Sequence, residues 1–138
     1  MKLSAKTEYA LLAMIFLSEK YGSGFLKISN IAENKNIPRK FLEQILLSLK
    51  RAGYLKSRRG ADGGYMLALP PSEISLAEII RLFDGPLAPV ESVSRYFYEH
   101  TPLEQDQRFI QVFREIRDYI SDKLESTTFE MMIVKSER

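Results

Sequence analysis

Residues 29–69 read SNIAENKNIPRKFLEQILLSLKRAGYLKSRRGADGGYMLAL, and this stretch decides the fold. Ile28 to Lys35 has the composition of a short polar helix, and Asn36-Ile37-Pro38 makes a tight turn. Arg39 to Ala52 follows as a second helix with two faces. Phe41, Leu42, Ile45, Leu46 and Leu49 fall on one stripe, and Arg39, Lys40, Glu43, Gln44 and Arg51 on the other. Pro38 suits the first turn, where the amide it lacks would be unpaired anyway. Leu47 lies on the polar side; packing against another element is expected, with contact to a thymine methyl as the alternative. Gly53 stops the helix, and two short strands flank Arg58-Arg59-Gly60-Ala61-Asp62-Gly63-Gly64. Helix, turn, helix and basic hairpin is the order of parts that a winged-helix DNA reader needs. The glycines are read as turn formers, because the run lacks the Gly-Lys-Ser/Thr ending of a phosphate loop and opens no helix.

Upstream, Ser4 is a plausible N-cap. The helix it opens is apolar on nearly every side from Tyr9 to Leu17, so it is expected to be packed all round, and Gly22-Ser23-Gly24 closes it. The apolar run is far short of the ~20 residues needed to span a bilayer. Glu8 abuts it and no small-residue cleavage site follows, which gives the expectation of a cytoplasmic protein with no membrane contact. Downstream, Pro70-Pro71 closes the hairpin. Ser75-Leu76-Ala77-Glu78 is a capping box that opens a helix to about Phe83, ended by Gly85-Pro86. Residues 85–103 hold three of the six prolines and no clear period, and are expected to form a loop with one short helical turn.

From Glu104 to about Leu124 the pattern is helical again, with Phe109, Val112, Phe113, Ile116, Tyr119 and Ile120 at steps of three and four. A helix of ~20 residues is ~30 Å long, more than a small winged-helix core needs. So rich an apolar face must be buried on something. A homodimer is the economical answer, since two-fold dimers are the commonest oligomers and palindromic DNA needs two readers; folding back onto its own domain is the alternative. The fold class is therefore mainly α with a small β-hairpin wing: a winged helix-turn-helix DNA-binding domain over 1–84, a sensor-type loop over 85–103, and a dimerisation helix with a C-terminal segment over 104–138.

Charge divides in the same way. Residues 1–60 carry 12 Lys/Arg against 4 Asp/Glu, a balance of +8, whereas residues 61–138 carry 8 against 14, a balance of −6; together these give the net +2. A basic half joined to an acidic one fits a polyanion-binding module beside one that does not touch nucleic acid. On the second helix, Lys40, Glu43 and Gln44 are placed to read bases. Arg39, Lys50, Arg51 and Lys56 are placed to hold phosphates. In the hairpin, Arg58, Arg59 and Gly60 complete the set, with Arg59 suited to a narrow minor groove.

Cysteine is absent, which excludes disulfides, thiol catalysis and cysteine-ligated clusters or zinc. His100 is the sole histidine and no Gly-x-Ser-x-Gly elbow occurs, so the chain is not read as an enzyme. Glu91, Glu99, Glu104 and Asp106 lie near His100, but solvated side chains are the favoured reading over a metal site. The Tyr96-Phe97-Tyr98 run is expected to pack the loop onto the core. Two other classes stay open on residues alone: a protein-interaction module docking a metabolic enzyme, and a ligand or metal sensor with weak DNA binding. The +8 half argues against the first.

Several segments together resemble the Rrf-two family of bacterial winged-helix transcription regulators, which includes IscR, NsrR and CymR. MKLSAKTEYALLAM is similar to the family's first helix and IAENKNIPRKFLEQIL, with its Phe41-Leu42-Glu43-Gln44, to its helix-turn-helix. GYLKSRRGADGGYML is similar to its wing, and DGPLAPV and LESTTFEMM to the segments flanking its dimer helix. The resemblance implies a DNA-binding homodimer with crossed long helices and base contacts from Lys40, Glu43 and Gln44; the reading that follows is a repressor on a palindromic operator. The resemblance also implies a minor-groove contact from Arg59 with Gly60. Many members hold an iron–sulphur cluster through three cysteines after GPLAPV; here Ser92 and Thr101 stand where cysteines are common. Glu8 stands where some members use an acidic ligand. The chain thus resembles a clusterless member with no cofactor. CymR is one such member, and GPLAPVE is similar to it. It signals through cysteine synthase, which implies an effector small molecule or a partner enzyme of that kind.

Overall fold

Ser4 caps the first helix, α1 (Ala5–Glu19), by accepting from the Thr7 amide at 3.2 Å. The same serine donates its amide (3.0 Å) and hydroxyl (2.7 Å) to the Asp84 carboxylate, tying the start of α1 to a point 80 residues away. Burial alone would raise the Asp84 pKa, but hydrogen bonds from Ser4 and Thr7 outweigh it and hold the carboxyl below its ordinary value. The computed structural model describes residues 1–136; positions 137 and 138 of the expected C-terminal segment lie outside the described residues.

The helix-turn-helix forms as its residues dictate. α2 (Ile28–Lys35) ends on Asn36, whose φ of 52° is left-handed, a conformation asparagine tolerates better than most residues. The reversal drives Ile37 into the core. α3 (Arg39–Arg51) begins after Pro38 and buries Leu42, Ile45, Leu46 and Leu49 completely, against Ala13, Met14 and Leu17 of α1 and Ile31 of α2. Phe41, expected on that stripe, is instead half out, its ring tilted against Tyr9 at 5.8 Å. Leu47 is 42% exposed, so the expectation that it packs against another element is corrected.

Strands β1 (Leu55–Arg58) and β2 (Gly64–Leu67) pair antiparallel, with Leu55 opposite Leu67 and Arg58 opposite Gly64. Leu26, in the connection between α1 and α2, adds a single further rung to β2. It exchanges two 2.8 Å backbone hydrogen bonds with Tyr65. The glycines are needed for close approach as well as for the turn. A Cβ on Gly64 would lie 2.1 Å from the Leu26 carbonyl oxygen, and one on Gly63 2.2 Å from that of Arg58.

After a 3-10 turn at Pro71–Glu73, α4 (Leu76–Asp84) opens with both halves of the Ser75–Glu78 capping box and ends at Gly85, φ 80°. The 85–103 loop contains a 3-10 turn at Glu91–Val93. A second 3-10 turn, Pro102–Gln105, delays the long helix α5 to Gln107–Ser126, where Asp106 accepts from the Arg108 amide. A further helix, α6 (Phe129–Ser136), lies within what the sequence pattern marks only as a C-terminal segment. The Leu76 amide donates to Thr127 and the Phe129 amide to Ile74, so residues 127–129 run beside 74–76 and insert Phe129 into the main core.

Two further expectations are corrected. α1 is not packed all round: Leu3, Leu11, Leu12 and Ile15, with Leu76, Phe129 and Met132, line an open apolar cavity of about 390 Å³, and Leu12 is 39% exposed. Tyr96, Phe97 and Tyr98 do not cover the core but stand exposed. In both places the local sequence is apolar and only partly covered: Leu12 stays open, and the Tyr96 ring meets the Arg81 guanidinium 4.7 Å from its centroid.

Candidate nucleic-acid interface

Because α3 commits Leu42, Ile45, Leu46 and Leu49 to the core, Arg39, Lys40, Glu43, Gln44, Lys50 and Arg51 are left outward, all exposed, beside the half-exposed Phe41 and Leu47. Lys40 and Gln44 sit one turn apart near the N-terminal end, as do Arg39 and Glu43, which face each other at 3.7 Å. Both partners of that pair are more than half exposed, so it is worth a fraction of a kcal/mol and leaves both groups available. Lys56 on β1 and Arg58, Arg59 and Gly60 at the hairpin end are also exposed. Arg58 is the most fixed of these, its guanidinium lying 4.4 Å from the centroid of the Phe25 ring. The helix and hairpin thus present one cationic surface, with Gln44 and Glu43 as the groups able to distinguish bases.

Sequence reasoning missed Phe25, Lys27 and Ser29, which the Leu26–Tyr65 rung brings beside the wing. An isolated Phe after Gly24 carries no periodic signal, and only the rung shows what it meets.

The six residues assigned to the long helix divide. Phe113 packs against the Ala88, Val93 and Ile110 cluster, and Ile120 against Ala77, Ile80 and Leu87. Phe109, Val112, Ile116 and Tyr119 point away from the chain, Tyr119 at 74% exposure. Folding back and outward display thus both occur, on different faces of one helix.

The 85–103 loop is fastened by arginines. Arg81 of α4 bonds Glu125, Arg95 bonds Asp118 at 2.8 Å, and Arg117 bonds Asp118 at 2.6 Å and the Val93 carbonyl at 2.9 Å. Arg81 and Arg95 converge on the buried Ser121 hydroxyl. Hydrogen bonds from Arg117 and then Arg95 hold the Asp118 carboxyl below its ordinary value, and one from Arg81 does the same for Glu125. Farther along, Tyr98 donates to Glu104 at 2.5 Å and His100 bonds the same carboxylate. The Tyr98 bond is the larger cause of the lowered Glu104 pKa.

A family model described as "Rrf2: Iron-dependent Transcriptional regulator" matches residues 3–135. The HTH-type transcriptional regulator CymR of Bacillus subtilis (strain 168) is 38% identical over 130 residues, spanning 94% of this chain and 88% of the relative. The solved structure of CymR, the global cysteine regulator of B. subtilis, superposes with a TM-score of 0.83 at 36% identity. That match covers 96% of this chain and 95% of the other. T. potens IscR superposes with a TM-score of 0.77 at 29% identity, covering 99% and 88%.

The iron in the family description does not fit the residues found here. Ser92 and Thr101, where the resemblance implied cysteines, are hydrogen-bonded hydroxyl to hydroxyl at 2.6 Å. Neutral hydroxyls are poor substitutes for thiolates toward iron. Among the described residues no three His, Cys, Asp or Glu side chains are grouped to hold a metal. The fold, the cationic helix-and-hairpin surface and these likenesses agree: the chain belongs to the Rrf2 family, and it is a DNA-binding, winged-helix transcription regulator rather than an enzyme.

Proposed function

We propose that this regulator is a cytoplasmic repressor that binds an imperfect palindrome as a homodimer. The observation that carries this reading is the pairing of two unused surfaces. The α3–wing face is cationic and carries base-reading groups. The α5 face of Phe109, Val112, Ile116 and Tyr119 is apolar and uncovered. Lys40, Glu43 and Gln44 read bases, Arg39, Lys50, Arg51 and Lys56 hold phosphates, and Arg58, Arg59 and Gly60 form the wing contact. Residues 1–84 bind DNA, 104–138 pair the protomers, and 85–103 receive the signal. That signal is an effector small molecule or a partner enzyme, with cysteine synthase as the first to try on the likeness to CymR. The exposed Tyr96-Phe97-Tyr98 run favours a protein partner. Among the described residues no helix is long and apolar enough to cross a membrane.

Fluorescence anisotropy against the promoter of its own operon and a scrambled duplex, over several salt concentrations, tests the reading. The expected result is a preference of ~10³ or more for the promoter. Equal, steeply salt-dependent binding to both would reduce the interaction to phosphate attraction and remove the operator assignment.

A further inference from the structure

Between the start of α2 and the wing lies a concave cleft of about 340 Å³, lined by Lys27, Ser29, Arg39, Arg58 and the wing glycines. Three cations from three separate elements converge there, and no acidic side chain lines the cleft. Among the described residues neither Lys27 nor Arg58 has a carboxylate within the 4.0 Å of an ion pair. Like charges gathered in a concavity repel; Glu43 relieves Arg39 alone, and an anion in the cleft offsets the other two. Its place in the fold says which anion. On one side stands the N-terminal end of α3, suited to the major groove; on the other stands the wing, suited to the adjacent minor groove. What separates two adjacent grooves of a duplex is one sugar-phosphate strand.

We propose that this cleft seats one phosphodiester of that strand, contacted by Lys27, Ser29 and Arg58. Phe25 acts as a positioning residue that holds Arg58 by its ring face. The Leu26–Tyr65 rung makes the seat a single unit, because it fixes the Lys27 segment to the wing through two backbone hydrogen bonds. The contact carries no sequence information; it sets the angle at which helix and wing straddle the strand. This inference rests on the DNA-binding function above.

The test is the salt dependence of binding to the promoter and to a scrambled duplex, for the wild-type chain and for Lys27→Ala, Ser29→Ala and Phe25→Leu. Lys27 is exposed, so its substitution leaves the fold intact. Lys27→Ala is expected to weaken both duplexes by the same factor, about five-fold, and to make the log–log salt slope shallower by about 0.9. Ser29→Ala is expected to weaken both about two-fold. Phe25→Leu is expected to weaken both about three-fold with the slope unchanged, since it removes orientation and no charge. An unaltered slope and affinity in Lys27→Ala would overturn the phosphate seat while leaving the regulator reading intact. A wild-type chain that binds no duplex would overturn that reading itself. Isothermal titration with inorganic phosphate separates the two sources of the anion. Saturable binding lost in Lys27→Ala would make the cleft a free-phosphate site and overturn the DNA assignment, whereas no saturable binding is expected.

Discussion

α3 and α5 are both amphipathic, yet they use their faces in opposite ways. α3 buries Leu42, Ile45, Leu46 and Leu49 completely and turns a charged face outward. α5, seven residues longer, fully buries only Ile110 and Ser121, packs Phe113 and Ile120 partway, and leaves Phe109, Val112, Ile116 and Tyr119 in solvent. The surface a helix leaves unused states the chemistry of its partner. Fixed charges and amides suit a phosphate backbone and base edges, whereas an aliphatic and aromatic stripe suits another apolar surface.

The sharpest way to break the contrast is to place a charge on the α5 stripe. Ile116→Asp should raise the dissociation constant of the proposed dimer a hundred-fold or more, about 2.7 kcal/mol or above, because an unpaired carboxylate would enter an apolar interface. Sedimentation velocity reads this, and an unchanged mass would remove α5 from the interface. Leu46→Ala acts on the other helix and should lower the stability of the fold by about 2–5 kcal/mol, seen as a lower urea midpoint. Were Leu46→Ala and Ile116→Ala equally destabilising, the distinction between a core stripe and an interface stripe would be lost. Gln44→Ala should leave stability alone and relax preference at one base pair by about 1–3 kcal/mol, read by anisotropy on single-substitution operators. Equal weakening on every operator would strip Gln44 of its readout role.

The smallest effect expected is one of pH. Asp118 and Glu125 are held low by arginines, so what they contribute is fully present above the ordinary carboxylate range and is lost as pH falls into and below it, from about 4 downward. Amide exchange in 85–103 should therefore rise below about pH 4 while the α3 core stays protected. Asp118→Asn with Glu125→Gln should shrink that pH step, leaving the part contributed by Glu104, which Tyr98 holds low; an undiminished step would point to other groups.

The helices and turns that depend on neighbouring residues were legible in the sequence. The Ser4 cap, the Asn36 reversal, the Gly53 stop and the Ser75–Glu78 box each need only a few consecutive side chains, and each forms. So was the candidate DNA surface, because a 3.6-residue period separates faces before any tertiary contact exists. What could not be read depends on distant partners. α6 is short, and FEMMIVKS has no clear polar stripe; its place comes from Phe129 meeting residues more than 50 positions earlier. The Arg81–Glu125 pair spans 44 residues. The outward Leu12 and Leu47 fail for the converse reason, because apolar character says that a surface wants cover and not which molecule supplies it.

The insertion of Phe129 has a consequence for synthesis on the ribosome. Its ring is 1% exposed and lies in the same core as α1 and α3, although α3 ends at Arg51. The ribosomal tunnel must therefore release residues 52–129 after α3 before the core around α3 can close. Until then α1 and α4 lack this wall of their packing. A chain still being translated would hold its DNA surface only loosely, so the regulator should gain full affinity only after α5 and α6 have emerged.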